Sequence, residues 1–295
     1  MKYTYLIIGL FLLSACKKIN LDQLAFPSVK VDSYILGDND GEIEVPAIYD
    51  IDENLIHLIP LTSTDKASGK QFTIYSIYIG DLNTIATDTV ILYTHGQAQN
   101  MDYYWGRAKL LANLESKNNY GVFMMDYRGY GMSEGESTEA GLSEDVDACV
   151  EWLKNKGVQQ ENTFYYGFSL GVIPALDLIA NKTNFTPSKV IIESPLASVE
   201  NLAQSSTLIN VDPKFISTLS FNNAETMKDV HIPLCWLHGR EDDYIELSNG
   251  QLVYDNHTGA YKESHIIDNA KHADIPLVMQ CDVYLDRVNT FIKKQ

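Results

Sequence analysis

The sequence of 295 residues has little positive charge, because 22 Lys and Arg residues stand against 39 Asp and Glu residues and give a formal net charge of −17. A surface of this sign repels phosphate backbones, which argues against nucleic acid as a partner. Apolar residues still make up 45% of the chain. The composition therefore excludes a disordered protein and allows a core that buries about three-quarters of the unfolded surface.

Motifs that bind metals or phosphates are also missing. Neither the C-x-x-C nor the H-E-x-x-H spacing occurs, and no G-x-x-x-x-G-K-[ST] loop is present. A glycine-containing stretch at 126–133 follows a strand candidate, but Glu134 stands where a dinucleotide loop needs its third glycine. We therefore expect no cofactor. With only four cysteines, the chain is expected to hold free buried thiols and no disulfide framework.

No apolar run has the roughly 20 residues that a membrane-spanning helix needs. The longest, at 5–13, follows Lys2 and leads into Leu-Ser-Ala-Cys at 13–16, as in a secretory signal. This ending resembles the bacterial lipobox, whose Cys is lipidated and becomes the first mature residue. We predict a signal peptide over 1–15, a lipid on Cys16, and an envelope protein anchored to a membrane on the periplasmic or surface side. An ordinary cleaved signal is the alternative.

Residues 16–40 are polar and contain a Gly-Asp-Asn-Asp-Gly turn cluster, so we expect a tether there. The rest, 41–295, is expected to form a single α/β domain. Its stretch 194–232 has room for a short helix and loops, which predicts a short or absent cap over the site.

Within that domain, two strand-like runs at 55–61 and 72–79 come first. Short apolar strands then alternate with helical patterns, the strand candidates being 90–94, 122–126, 163–166, 190–193, 233–238 and 264–267. Helices are expected between them, including one around 142–153 and a final one over 276–293. This alternation predicts a mostly parallel sheet covered on both faces, with ligands bound at the carboxyl ends of the strands.

The clearest chemical motif is G-F-S-L-G at 167–171, between a strand candidate and an apolar helical run. This is the context of a nucleophile elbow, in which a tight turn presents the Ser hydroxyl and flanking glycines allow close packing. Ser169 is therefore the candidate nucleophile.

A serine hydroxyl needs a base, and the base needs a carboxylate to orient it. His272 follows the last strand in a loop and is the candidate base, whereas His265 lies within the strand. Asp242 is the preferred acid, with Asp243 second and Glu241 third. The order Ser, Asp, His along the chain is that of α/β-hydrolases.

An oxyanion hole needs two backbone N–H donors. The residue after the nucleophile, Leu170, supplies one. Gln97, in the loop after the 90–94 strand, is expected to supply the other. His95 in the same loop is expected to orient it and not to act as a second base.

Together these motifs resemble the α/β-hydrolase superfamily, most closely its depalmitoylase-like branch, with serine-aminopeptidase-like hydrolases nearby. The resemblance covers about 89–292. It implies the α/β-hydrolase fold and a serine hydrolase of carboxylic esters or thioesters, without a cofactor, with Ser169, Asp242 and His272 as its triad. The alternatives are a hydrolase of peptide substrates of the serine aminopeptidase type, and a non-catalytic binding lipoprotein on the same scaffold.

Overall fold

A computed structural model describes residues 21–37, 41–181, 185–201 and 218–294 of the chain. Its strands are β1 (Ile56–Thr64), β2 (Gln71–Ile79), β3 (Val90–Thr94), β4 (Gly121–Met125), β5 (Thr163–Phe168), β6 (Lys189–Glu193), β7 (Leu234–Gly239) and β8 (Lys262–Ile267). They form one sheet in the order β1-β2-β4-β3-β5-β6-β7-β8. Only the pairs that involve β1 and β2 are antiparallel, so the predicted mostly parallel sheet is confirmed.

Helices flank this sheet, namely α1 (Asp22–Ala25), α2 (Trp105–Ala112), α3 (Glu139–Asn155), α4 (Val172–Asn181), α5 (Asn223–Thr226), α6 (Leu247–Asp255), α7 (Ile275–Val278) and α8 (Cys281–Lys293). Alternate residues of each strand point to opposite faces. Leu92 accordingly joins the core with α3, α4 and α6, whereas Tyr93 joins the core with α2 and α8.

The predicted final helix over 276–293 differs from the structure. It is divided into α7 and α8, since Gln280 between them adopts a positive φ of 69°. The apolar spacing continues across this break, which explains why periodicity alone did not reveal it.

The expected tether over 16–40 is wrong for the part that the structure describes. Phe26 is only 2% exposed and belongs to the core shared with α3 and α4. Residue Lys30 forms an isolated parallel bridge with Gly131, and Tyr34 donates to the Asp126 carboxylate. A polar composition concealed these contacts, because a few anchoring side chains suffice to hold a segment. The chain from residue 21 therefore packs on the domain.

Two predictions reach residues that the structure does not describe. The signal peptide and Cys16 lie outside the described residues, as do 202–217 of the expected short cap. On the described side of that stretch, α5 and a 3₁₀ turn at Met227–Asp229 lead into β7. In the part of the chain that is described, no helix has both the length and the apolar character to cross a bilayer.

Candidate active site

Ser169 occupies the sharp turn between β5 and α4. Its φ is +52°, in the left-handed region that costs a non-glycine residue roughly 1–2 kcal/mol. The turn is packed against β3, because a Cβ on Gly171 would lie 2.1 Å from the carbonyl oxygen of Thr94. Thr94 also donates from Oγ1 to the carbonyl of Gly171 at 2.8 Å. The glycine thus permits the close approach that holds the strained serine in place.

His272 lies between the two other predicted site residues. Its Nε2 is 2.9 Å from Ser169 Oγ, and its Nδ1 is 2.8 Å from Asp242 Oδ2. An ionised carboxylate can only accept, so Nδ1 carries the hydrogen in that contact and Nε2 is left to accept from the serine hydroxyl. The structure therefore brings Ser169, His272 and Asp242 together in the geometry that a general base requires.

Asp242 is held at its other oxygen by the backbone N–H groups of Tyr244 and Ile245, which donate to Oδ1 at 3.0 and 2.7 Å. Burial works to raise the pKa of this carboxyl. Hydrogen bonds from His238 and His272, the positive charge of His272 when it is protonated, and the Ile245 N–H outweigh burial, so the pKa lies well below its usual value. Asp242 is therefore an anion at neutral pH.

The two other acids of this loop point elsewhere. Glu241 and Asp243 are both exposed, and the Asp243 carboxylate faces Lys271 Nζ at 3.7 Å. His265, the alternative base, lies on β8 with its Nε2 2.9 Å from Glu263. The structure thus pairs His272 with Asp242, the acid that the sequence analysis prefers over Asp243 and Glu241.

Aromatic rings lie on two sides of the His272 imidazole. Phe168, the residue before the serine, has its centroid 5.2 Å away, and Tyr244 approaches edge-on at 5.0 Å. Tyr244 is 55% exposed, so it lies at the mouth of the site. These rings limit how far the imidazole can turn.

The expected oxyanion donors lie in two backbone segments that contact each other. Leu170 directly follows the serine in the 3₁₀ turn Ser169–Gly171. Opposite it, a Cβ on Gly96 would lie 3.1 Å from the Phe168 ring, which places the loop of Gln97 against the elbow. Tyr104 fixes this loop by donating to the carbonyl of Gln97 at 2.7 Å. The role of the two N–H groups stays a prediction.

A family model described as alpha/beta hydrolase fold matches residues 89–234, which include the elbow and the loop of Gln97. The α/β-hydrolase domain-containing protein 17C of Mus musculus is 32% identical over 210 residues. The chain belongs to the α/β-hydrolase superfamily. The expected fold and family resemblance are thereby confirmed.

The mouse match covers 70% of this chain and 60% of the relative, so the chain spans about 60% of that relative's length. A similar match, 30% identical over 206 residues, covers 70% of this chain and 66% of the α/β-hydrolase domain-containing protein 17B of Homo sapiens. The activity of these relatives is therefore not attributed to this chain.

Solved structures share the α/β-hydrolase fold at low identity. An esterase from Pyrococcus furiosus superposes with a TM-score of 0.64 at 18% identity, over 94% of this chain and 97% of the esterase. A bromoperoxidase from Bacillus anthracis superposes with a TM-score of 0.58 at 14% identity, over 80% of this chain and all of that one (100%). One of these proteins is named an esterase and the other a bromoperoxidase. At such low sequence identity, structural similarity shows a shared fold but not a shared activity.

Sequence reasoning assigned no role to His238, which supports the acid of this α/β-hydrolase. Its Nδ1 accepts from Trp236 Nε1 at 3.2 Å, which leaves the hydrogen on Nε2. That Nε2 lies 2.9 Å from the carbonyl of Ile245 and 3.3 Å from Asp242 Oδ2. The one feature of the sequence that could have indicated this role is that His238 lies four residues before Asp242.

Among the described residues, one group of side chains could hold a metal ion. Cys235, Glu263 and His265 have donor atoms within 4.8 Å of one another. The Glu263 carboxylate already accepts from Tyr261 Oη and faces Lys294 Nζ at 3.4 Å. Cys235 is also the second residue of β7, away from the carboxyl end of the strand. We assign this group no part in the candidate active site.

Proposed function

We propose that the protein is a serine hydrolase that cleaves carboxylic esters or thioesters through an acyl-enzyme and is tethered to a membrane. The observation that carries the proposal is the position of His272, hydrogen-bonded to Ser169 Oγ at 2.9 Å and to Asp242 at 2.8 Å. Superfamily membership supports it further.

In the proposed mechanism, His272 Nε2 takes the proton as Ser169 Oγ attacks the acyl carbon. The imidazolium that forms is stabilised by the Asp242 carboxylate, whose lowered pKa keeps it ionised. The proton then passes to the leaving oxygen or sulfur. Water attacks the acyl-enzyme with the same histidine as base, which regenerates the serine.

The backbone N–H groups of Leu170 and Gln97 are proposed to bind the oxyanion. Each such donor is worth on the order of 3 kcal/mol in the transition state when it is pre-positioned. These steps use side chains and backbone groups of the chain, so the proposed reaction needs no cofactor.

The substrate is proposed to be an acyl group carried by a larger molecule. Tyr244 at the mouth is 55% exposed, and its ring lies 5.0 Å from the His272 imidazole, so it offers an apolar surface beside the catalytic atoms. The resemblance to depalmitoylase-like proteins favours long acyl chains, such as palmitoyl thioesters.

Membrane attachment through Cys16 would place this site near the bilayer. Asp22 at the start of α1 accepts from the N–H of Glu139, the first residue of α3, at 3.4 Å. The loop that precedes α3 leaves the carboxyl end of β4, on the edge of the sheet that carries Ser169. Five residues beyond Cys16 bring the chain to Leu21, and they reach at most about 18 Å.

Hydrolysis of p-nitrophenyl esters from acetate to palmitate, by wild type, Ser169→Ala and the exposed-serine control Ser248→Ala, tests the activity. We expect Ser169→Ala to lose turnover by about a thousandfold or more and the control to match wild type. Equal turnover by wild type and Ser169→Ala would exclude Ser169 as the nucleophile.

Greater activity on a panel of short peptides than on esters would favour the aminopeptidase-like alternative. A folded wild type that a fluorophosphonate does not label would favour the binding lipoprotein.

Attachment is tested separately by expressing wild type and Cys16→Ser in a bacterium and fractionating the cells. We expect wild type in the membrane fraction and the variant in the soluble fraction, with equal esterase activity per molecule. Membrane recovery of both proteins would contradict anchoring through Cys16.

A further inference from the structure

A segment before the first strand crosses the edge of the sheet that carries the candidate active site. We call residues 29–37 and 41–42 the strap. Val29 accepts from the N–H of Gly131, and Val31 donates to the carbonyl of Gly131, at 2.9 and 3.2 Å. The backbone of the strap also donates to the Asp102 carboxylate from Ile35 and Leu36. The strap lies outside the residues 89–234 that match the family model.

Tyr34 of the strap reaches the loop that follows β4. Its hydroxyl donates to Asp126 Oδ2 at 2.7 Å and accepts from the N–H of Met132 at 3.0 Å. Gly131 makes room for this contact, because a Cβ there would lie 1.9 Å from Asp126 Oδ2. The Asp126 side chain is fully buried, so each donor to it matters. Burial raises the pKa of Asp126 against the hydrogen bonds from His95 and Tyr34.

The contact continues from Asp126 to the loop of the expected oxyanion donor. Asp126 Oδ1 lies 3.0 Å from His95 Nε2, and His95 Nδ1 lies 2.7 Å from the carbonyl oxygen of Gly96. The His95 carbonyl in turn accepts from Tyr127 Oη at 2.8 Å. Tyr34 thus acts on the backbone that directly precedes Gln97.

Glu42, at the other end of the strap, meets the fully buried Arg107 of α2. The pair is bidentate, with Arg107 Nη2 2.9 Å from Glu42 Oε1 and Nε 3.2 Å from Oε2. Arg107 Nη1 also donates to Glu193 Oε2 at 2.6 Å. Leaving a buried guanidinium without its carboxylate partner costs free energy, and the guanidinium then reorients. Glu42 therefore fixes the orientation of the Arg107 guanidinium plane.

Arg107 contacts the histidine side of the site. Its Nη2 donates to the carbonyl of Ala273, the residue after His272, at 3.0 Å, and its guanidinium stacks over Phe168 at 4.5 Å from the ring centroid. Ser194 Oγ donates to the carbonyl of His272 itself at 3.2 Å. Two consecutive carbonyls of the histidine loop are therefore held by side chains.

We propose that Tyr34 and Glu42 are positioning residues for the reaction, Tyr34 for the loop of Gln97 and Glu42 for the loop of His272. The proposal rests on the proposed function, since it concerns the same site. It makes the strap a working part of the active site, although neither residue touches the reacting atoms.

Tyr34→Phe removes the donor to Asp126 and keeps the ring. We expect kcat on p-nitrophenyl butyrate to fall about tenfold with KM within about twofold of wild type, because the loss falls on the transition state. Tyr49→Phe is the matched control, since Tyr49 also donates to a carboxylate, that of Asp282, away from the site. The control is expected to keep wild-type kcat.

Glu42→Gln is compared with Asp50→Asn, whose parent residue pairs with Lys109 on the same helix as Arg107. A misplaced histidine is a poorer acid for the leaving group, and an ethoxide needs that acid far more than a p-nitrophenolate does. We therefore expect kcat/KM of Glu42→Gln to fall about threefold or more further on ethyl butyrate than on p-nitrophenyl butyrate. Tyr34→Phe should lose equally on both esters, because both form the oxyanion.

Thermal unfolding of each variant is measured first, and kinetics are measured well below each midpoint. Wild-type kcat in folded Tyr34→Phe and Glu42→Gln, or equal losses in the two controls, would overturn the positioning roles while the proposed function stands. Wild type that neither turns over esters nor reacts with a fluorophosphonate at Ser169 would overturn the proposed function itself.

Discussion

The loops at the carboxyl ends of the strands and the N-terminal segment (residues 21–37 and 41–42) meet at the same edge of the sheet, but they are held there differently. Ser169, Asp242 and His272 arrive because each follows a strand whose register is fixed by its neighbours. In its described residues, the N-terminal segment has one isolated bridge and depends on single side chains such as Phe26 and Tyr34. This difference shows that the strand ends position the reactive groups. Individual side chains from elsewhere in the chain then hold the loops on which those groups lie.

The largest effect is expected on the strand-end side, from Asp242→Asn. The neutral amide cannot stabilise the imidazolium as the carboxylate does, so kcat on p-nitrophenyl esters should fall about a thousandfold or more. Asp243→Asn in the same loop should retain wild-type kcat. Similar losses in both variants would mean that the loop, and not the Asp242 carboxylate, is what matters.

Phe26→Ala tests whether the N-terminal segment folds with the domain. Removing a buried phenyl ring should lower the free energy of unfolding by about 3–5 kcal/mol, measured by urea denaturation. Val29→Ala, at a residue 41% exposed, should change it by less than about 0.5 kcal/mol. A wild-type stability for Phe26→Ala would restore the tether interpretation for this part of the chain.

Glycine substitutions compare the backbone packing of the two regions. Gly171→Ala forces a Cβ against the Thr94 carbonyl and should cost about 1–3 kcal/mol of stability, together with esterase activity. In the N-terminal segment, a Cβ on Gly37 would meet its nearest atom at 3.7 Å, so Gly37→Ala should be close to neutral. Thermal melts and ester kinetics measure both, and a neutral Gly171→Ala would argue against a tightly packed elbow.

The smallest effect concerns acid stability. The pKa of Asp242 is lower in the folded than in the unfolded state, so this group stabilises the fold above its unfolded pKa of about 3.9 and loses that effect as pH falls toward the folded pKa. Between about pH 5 and about pH 2, wild type should lose about 1–2 kcal/mol more unfolding free energy than Asp242→Asn. Denaturant titrations at each pH measure this, with Asp243→Asn following wild type. Parallel curves for wild type and Asp242→Asn would contradict the pKa shift.

Much of the fold was predictable because local patterns report local structure. The run at 90–94 coincides with β3, and the strand at 163–166 extends by two residues into the elbow. The helix around 142–153 lies within α3. The break at Gln280 was not predictable, since apolar spacing says nothing about a single residue with positive φ.

In the candidate site, too, some residues were identifiable from local sequence motifs and others only from the tertiary structure. Ser169 and His272 were identifiable from motif and chain order, and Asp242 was ranked above Asp243 without a structural reason. The structure supplies that reason, because Asp242 accepts from two backbone N–H groups while Asp243 faces Lys271 in solvent. No motif pointed to Glu42 or Tyr34.

The order of strands, helices and reactive residues was determined by the sequence itself, because hydrophobic periodicity and turn chemistry act between near neighbours. Only the tertiary structure decided which carboxylate meets His272 and where residues 21–37 lie. Those outcomes depend on contacts between groups that are distant along the chain, such as Arg107 with Glu42 and Ala273. Such contacts are selected by packing geometry and burial, which no local pattern encodes.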